Sequence, residues 1–205
     1  MEDYRQATVV LTGSFNPAIF YPEWFREQEI LPEIEVSSAE SATDLVITRQ
    51  ATVIRFMSLR LEALGERWTL TSERPDWFKD LGPITTSIFD KLPHTPVKAL
   101  TMTFLEHRRV RRSPAEAIEG WLTAPAFGKV VGNSAKLGVI GRGEWEKFET
   151  ALVLEHSVRL KGAVFIGQSY ELKLKTARDL EAVKWADLIT RSNEVSRILL
   201  EEKGQ

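Results

Sequence analysis

Two pairs of strand-like segments, each joined by a short turn, constrain the fold of this chain more than any other feature of its sequence. Residues 51–64 and 67–73 are rich in β-branched and apolar side chains, and Gly65-Glu66 lies between them. Residues 150–160 and 163–175 repeat the arrangement around Lys161-Gly162. Because connections this short join only antiparallel strands, the sequence predicts two β-hairpins.

The remaining segments predict further strands and several helices. Strands are expected at 7–13 and 97–110, and the alternation of residues 33–40 also indicates a strand. Residues 76–92 carry apolar side chains at helical spacing, and Gly82-Pro83 either kinks this helix or begins it. Residues 124–145 are spaced by glycines and predict irregular structure, with a tight turn at 141–145.

Two helices stand out in the second half of the sequence. Ser113, Pro114 and Glu116 have the spacing of a helix cap, a first helical position and a reciprocal capping residue. Residues 176–203 carry the longest helical stripe. The predicted fold class is therefore α+β: an antiparallel sheet in two hairpin-containing halves, with helices on one face and a long C-terminal helix. A single domain over residues 1–205 is expected.

The aromatic-rich stretch 13–31 lies beside the first predicted strand. Burying each large aromatic side chain is worth roughly 1.5–3 kcal/mol, and an exposed stripe of them would favour aggregation. Phe15, Phe20, Trp24 and Phe25 are therefore predicted to belong to the core, and Tyr21 to remain exposed.

Composition limits the compartment and the kind of partner. The chain has 205 residues, 43% of them hydrophobic, and a net charge of -2, so it has no overall attraction to nucleic acid or anionic membranes. It lacks a long apolar run, its N-terminus carries acidic residues where a signal peptide is basic, and it has no cysteine. These features predict a cytoplasmic protein of a bacterium or archaeon.

No motif of a known catalytic chemistry is present. The three histidines His94, His107 and His156 are far apart in sequence, and the Gly-x-Gly at 141–143 lacks the third glycine of a phosphate-binding loop. The sequence therefore predicts a protein that is not an enzyme and binds no cofactor or metal. The alternative is an enzyme whose carboxylate site is assembled only by the fold.

An arginine cluster is the first candidate binding site. It consists of Arg108, Arg109, Arg111 and Arg112. Three interpretations stay open: a solvated strand end, phosphate contacts with RNA or DNA, and contact with an acidic protein surface. Since no aromatic-studded strand of the kind that binds single-stranded nucleic acid accompanies the cluster, a protein partner is favoured over nucleic acid.

The end of the C-terminal helix is the second candidate. A helix over residues 176–203 would be about 42 Å long at about 1.5 Å per residue, longer than a compact domain of this size. Its tip would then project from the domain, and Val195, Ile198 and Leu199 are predicted to contact a partner. On this interpretation, truncation after Asn193 would cost little stability.

Two segments resemble an uncharacterised family of bacterial proteins. The resemblance lies in residues 11–25, LTGSFNPAIFYPEWF, and residues 94–100, HTPVKAL, although the expected Gly-Ile-Asn after Leu100 is replaced by Thr101-Met102-Thr103. It covers roughly residues 7 to 105 and implies a shared fold but no reaction. The sporadic occurrence of such proteins is similar to that of defence and accessory genes.

The leading functional hypothesis is a non-enzymatic protein–protein interaction subunit or adaptor. We expect a bacterial multi-protein system, and the sporadic occurrence of the similar proteins favours one of the anti-phage defence or CRISPR-accessory kind. The surface features favour a hetero-complex with another protein, and the composition predicts no contact with membrane. The alternatives are an RNA- or DNA-binding protein that uses residues 107–112, and the enzyme described above.

Overall fold

Nine strands form one antiparallel sheet in the part of the chain that the computed structural model describes, which is residues 3–110, 113–119 and 138–200. The strands are β1 (Tyr4–Gly13), β2 (Val46–Ile47), β3 (Ala51–Arg55), β4 (Arg60–Leu64), β5 (Arg67–Ser72), β6 (Val97–Arg109), β7 (Val139–Trp145), β8 (Phe148–His156) and β9 (Ala163–Lys173). The α-helices are α1 (Pro22–Glu27), α2 (Glu33–Glu40), α3 (Phe78–Asp90), α4 (Pro114–Glu119) and α5 (Trp185–Leu200).

The strand order shows that the same sequence of elements occurs twice. The sheet runs β2-β3-β4-β5-β1-β6-β9-β8-β7, and neighbouring strands are antiparallel. In each half a long strand, β1 or β6, is followed by helical structure, by a meander that returns to pair with that strand, and by a helix, α3 or α5. The predicted α+β class with two hairpin-containing halves is therefore confirmed.

The helices cover one face of the sheet, as the sequence predicts. Alternate residues of the central strands, such as Val9 and Met102, point towards the helices and are fully buried. Trp68 of β5 packs edge-on against Phe89 of α3, with ring centroids 5.3 Å apart. A second, smaller core cluster lies beneath α4; its members are Ile118, Leu154, Val164 and Ile166.

The aromatic-rich stretch belongs to the core, which confirms the prediction for each of its named residues. Asn16 caps a 3-10 helix over Pro17–Ile19 by accepting a hydrogen bond from the Ala18 backbone N–H. Trp24 and Phe25 of α1 pack edge to face, and Tyr21 lies at the surface. The buried members are Phe15, Phe20, Trp24 and Phe25.

Residues 33–40 form helix α2, so the strand predicted there is wrong. Arg26 of α1 pairs with both Glu33 and Glu40 of α2, which lie seven residues apart and therefore on one side of a helix. The buried Glu35 accepts a hydrogen bond of 2.9 Å from the Ser58 backbone N–H. The buried contact with the distant Ser58 outweighs the alternation of apolar side chains, which is a weak signal over eight residues.

Residues 51–64 form two strands instead of the single strand predicted. The chain reverses at residues 56–59, where the Phe56 N–H donates to the Leu59 carbonyl over 2.9 Å. β3 and β4 consequently pair with each other, and the predicted hairpin becomes the β4–β5 part of a meander. The Phe56 side chain is buried against Phe25, so the turn is anchored by core packing that has no local sequence signal.

Helix α3 continues through Gly82-Pro83, which settles the alternative left open by the sequence. The helix begins at Phe78, and Pro83 lies inside it. Gly82 is required at this point because an added Cβ would lie 2.2 Å from the indole ring of Trp185. The glycine therefore permits α3 and the start of α5 to approach closely.

The C-terminal helix is shorter than predicted. A 3-10 helix occupies Ala177–Ala182, Val183 has extended backbone angles, and α5 then begins at Trp185. The 16 residues of α5 extend about 24 Å at about 1.5 Å per residue, which removes the reason for a projecting tip. No described helix, α5 included, is long and apolar enough to cross a membrane.

The segment between β6 and β8 contains one confirmed and one corrected prediction. Ser113 and Glu116 form the predicted capping box at the start of α4, with reciprocal bonds of 3.2 and 3.0 Å. Residues 139–145, predicted to be irregular with a tight turn, form β7 because their backbone pairs with β8 along its whole length. Residues 120–137 lie outside the described part of the chain.

Candidate functional site

The face of the sheet opposite the described helices, here called the open face, carries a row of hydroxyl groups across its centre. The row consists of Thr71, Thr8, Thr103 and Ser169, which are register partners on β5, β1, β6 and β9. All four side chains are half-buried, and the hydroxyl oxygens of Thr8 and Thr71 lie 3.1 Å apart. Because a hydroxyl both donates and accepts, such a row can bind the polar groups of an incoming chain.

A cleft of about 660 Å³ opens on this face in the first half of the sheet. It is lined by residues of strands β3, β4, β5, β1 and β6, and one wall is the turn at residues 56–59, where Met57 is 50% exposed. Its volume falls within the range of ligand-binding pockets. Four arginines line it: Arg55, Arg60, Arg67 and Arg74.

Side chains of like charge face one another in two places on the open face. Arg55 and Arg60 are register partners on β3 and β4. In the other half, Glu144, Glu149 and Glu171 form a row across β7, β8 and β9. Like charges directly opposite each other destabilise a sheet, so neither arrangement is explained by the stability of the isolated chain.

Surface ion pairs offset only part of this repulsion. Arg55 lies 3.2 Å from Asp44, and Lys173 lies 3.3 Å from Glu149. The side chains of both pairs are more than half exposed, and exposed pairs of this kind contribute little stability. Local rules of this kind are commonly broken at functional sites, so the open face is the leading candidate site.

The arginine cluster is only partly described. Arg108 and Arg109 end β6 and, as adjacent strand residues, point to opposite faces of the sheet. The Asp3 carboxylate accepts a hydrogen bond from each: from the Arg108 guanidinium Nε–H over 3.4 Å and from the Arg109 backbone N–H over 3.2 Å. Arg111 and Arg112 lie outside the described residues, so a role of the whole cluster in partner binding stays a prediction.

Arg108 also takes part in an ion-pair network around the buried carboxylate of Glu106. One carboxylate oxygen of Glu106 lies 3.3 Å from Arg108 and 3.4 Å from Arg5. The Glu106 side chain is only 6% exposed, and the same oxygen makes no hydrogen bond within the described residues. Glu106 therefore attracts the two arginines through charge, without a well-formed hydrogen bond. Arg108 already has ion-pair partners within its own chain.

The three residues predicted at the helix tip differ in their surroundings. Val195 is half-buried and lines a groove between α5 and β7. Ile198 is 43% exposed, whereas Leu199 packs against the second core cluster. The tip thus lies on the sheet instead of projecting from it, and contact of these residues with a partner stays a prediction.

A Ser–His pair at one end of the open face was not predicted from the sequence. Nδ1 of His107 lies 2.8 Å from Oγ of Ser157, and these residues are fifty positions apart. Ser157 Oγ also accepts hydrogen bonds from the backbone N–H groups of Arg159 and Leu160. Ser157 Oγ is therefore already an acceptor for two backbone groups. The pair stabilises the turn between β8 and β9 and does not resemble an activated nucleophile.

The stability of this end of the sheet is expected to depend on pH. Burial, together with the nearby Arg159 guanidinium, lowers the pKa of His107 below its usual value of 6.5, while Glu155 acts weakly in the opposite direction. The unfolded chain therefore takes up a proton at higher pH than the folded chain, and stability is lost as pH falls below about 6.5.

Urea unfolding between about pH 8 and about pH 5 should show this loss, and His107→Gln, which cannot titrate in this range, should flatten the curve. Hydrogen exchange should locate the weakening in residues 157–162. Equal pH dependence of the two proteins would show that His107 does not couple to folding.

The described residues offer little of what a catalytic site requires. No group of three His, Asp or Glu side chains within them has the geometry to hold a metal ion. Hydrogen bonds from Arg26 and Ser37 lower the pKa of Glu33 to about 2, but this carboxylate lies in the surface contact between α1 and α2. Its shift is explained by the ion pair rather than by a catalytic cleft.

Comparison with known proteins adds no family to this description. No protein-family model matches the chain, and no curated protein matches its sequence. The candidate site therefore rests on the geometry of the open face.

Proposed function

We propose that this protein is a non-enzymatic protein–protein interaction subunit, an adaptor that holds a protein partner on the open face of its sheet. The observation that carries the proposal is the opposed like charges on that face, beside a cleft and a half-buried row of hydroxyls. A partner with complementary charges would relieve the repulsion and bury the hydroxyls in hydrogen bonds.

The composition of the open face favours a protein partner over nucleic acid. Arginines at the first half are balanced by glutamates at the second, so the face lacks the continuous positive potential that a phosphate backbone requires. Across its centre lie threonines and Val10 instead of stacking aromatics. Mixed charge around a less polar centre is typical of protein interfaces.

The biological setting of the proposal comes from the sequence. The proposal includes a cytoplasmic location, which the lack of cysteine and of long apolar runs in the sequence supports. The resemblance described above favours a bacterial complex of the anti-phage defence or CRISPR-accessory kind. In such a complex the chain acts as an accessory subunit whose open face contacts a different protein.

The proposal is tested by obstructing the centre of the open face. In the double variant Thr103→Tyr/Ser169→Tyr, two bulky uncharged side chains replace neighbouring members of the hydroxyl row. We expect a protein that co-purifies with the tagged wild type from its native cells, at constant stoichiometry, to be lost with this variant. Mass spectrometry of the purified complexes provides the measurement.

A matched control places the same side chains elsewhere. Thr43→Tyr/Thr190→Tyr changes two exposed positions outside the sheet and should retain the partner. Both variants should unfold at the same temperature as the wild type in circular dichroism. Equal capture by both variants would exclude the open face as the binding surface.

A further inference from the structure

We propose that the cleft on the open face binds an acidic, extended segment of about six residues that belongs to the protein partner. This inference rests on the proposed function and adds the chemistry of the bound segment. The cleft crosses β3, β4, β5, β1 and β6, and four strand spacings of about 4.8 Å give a width of about 19 Å. An extended chain covers that width with about six residues at about 3.3 Å per residue.

The charge of the lining selects an acidic segment. Four arginines and two glutamates line the cleft, which leaves two excess positive charges in a chain whose net charge is -2. Guanidinium groups bind carboxylates through paired, charge-assisted hydrogen bonds, and these are stronger than bonds between neutral groups. The segment therefore needs at least two carboxylates.

The arginines are available at little cost. Arg55 and Arg60 now pair with Asp44 and Glu62, but the side chains of both pairs are 42% or more exposed. Exposed pairs contribute little stability, so carboxylates of a partner can replace them. Arg74 is held in place by a 3.0 Å hydrogen bond from its guanidinium to Ser58 Oγ and needs no rearrangement.

The floor and the wall of the cleft suit a peptide rather than a compact anion. The hydroxyls of Thr8, Thr71 and Thr103 can pair with backbone N–H and C=O groups along an extended chain. Met57 offers an exposed, adaptable apolar contact at one side. An extended peptide with acidic residues towards the arginines and one apolar residue beside Met57 matches this lining.

The experiment selects peptides from a displayed random library of about twelve residues, long enough to fill the cleft with flanking residues. Wild-type protein is expected to enrich peptides with net negative charge. Fluorescence anisotropy of a labelled selected peptide should show that Arg55→Gln/Arg60→Gln/Arg67→Gln lowers the affinity by roughly tenfold or more, since each lost charged hydrogen bond is worth about 1.5 kcal/mol or more.

The matched control removes two cations from the same face outside the cleft. Arg142→Gln/Lys173→Gln changes exposed residues of β7 and β9 and should bind the peptide as the wild type does. Enrichment of neutral or basic peptides, no enrichment, or equal binding by the cleft variant would each overturn the inference. So would tighter binding of labelled oligothymidylate than of the selected peptide, with loss in the cleft variant.

The two proposals fail separately. If Thr103→Tyr/Ser169→Tyr loses the native partner while the cleft variant keeps it, the open face binds a protein but the proposed acidic segment is wrong. If both variants keep the native partner, the proposed function itself is wrong.

Discussion

Replacing Gly82 by alanine is expected to lower the free energy of unfolding by about 3 kcal/mol, the upper end of the usual cost of overpacking a core. The added methyl carbon would lie 2.2 Å from the Trp185 ring and cannot be accommodated by a simple rotation. The indole is fixed by a hydrogen bond of 3.2 Å from its Nε1–H to Thr86. The contact between α3 and α5 must therefore open, which urea unfolding measures directly.

A double-mutant cycle supplies the control for this prediction. In a Trp185→Ala background the space opposite Gly82 is empty, and Gly82→Ala should become neutral or stabilise by up to about 1 kcal/mol, because alanine favours a helix over glycine. An equal loss in both backgrounds would mean that the glycine is needed for its backbone conformation and not for the close approach.

Truncation after Asn193 is expected to cost roughly 3 kcal/mol, in contrast to the small loss that the sequence alone predicts. The deleted part of α5 contains Ser196, whose Oγ accepts a hydrogen bond of 3.0 Å from the buried Gln168 side chain. It also contains Leu199 and Leu200, which pack against the second core cluster. Removal therefore leaves Gln168 short of an acceptor and exposes apolar surface.

Point variants in the same helix separate these contributions. Ser196→Ala and Leu199→Ala should each account for part of the loss, whereas Ile198→Ala, at a position 43% exposed, should change stability little. Thermal unfolding followed by circular dichroism gives the order of stability of the truncated protein and the three point variants. A truncated protein as stable as the full chain would show that the tip does not contribute to the core.

The charges of the open face connect the fold to the proposed function. Each half of the sheet contributes one wing to this face, and the wings carry opposite excess charge: arginines on β3 and β4, glutamates on β7, β8 and β9. A partner that binds across both wings must present an acidic and a basic region in a fixed order. Charge reversal on either wing should therefore weaken binding without changing the fold.

Local sequence patterns determined the elements whose signals are short-range. The turn at Gly65-Glu66, the capping box at Ser113 and the apolar spacing of α3 depend on residues within a few positions of each other, and all three occur as predicted. The burial of the aromatic stretch also followed from the sequence, because burying large apolar surface is favourable in any arrangement of the chain.

Tertiary contacts decided the elements whose local signals were weak or ambiguous. Residues 33–40 are helical because the buried Glu35 bonds to Ser58, and residues 56–59 turn because the Phe56 side chain packs in the core. The open face could likewise not be predicted from the sequence. Its arginines Arg55 and Arg60 are close in sequence, but its glutamates become neighbours only through strand pairing; these are Glu144, Glu149 and Glu171. Sequence spacing records which side chains share a strand, whereas a binding face depends on which strands lie side by side.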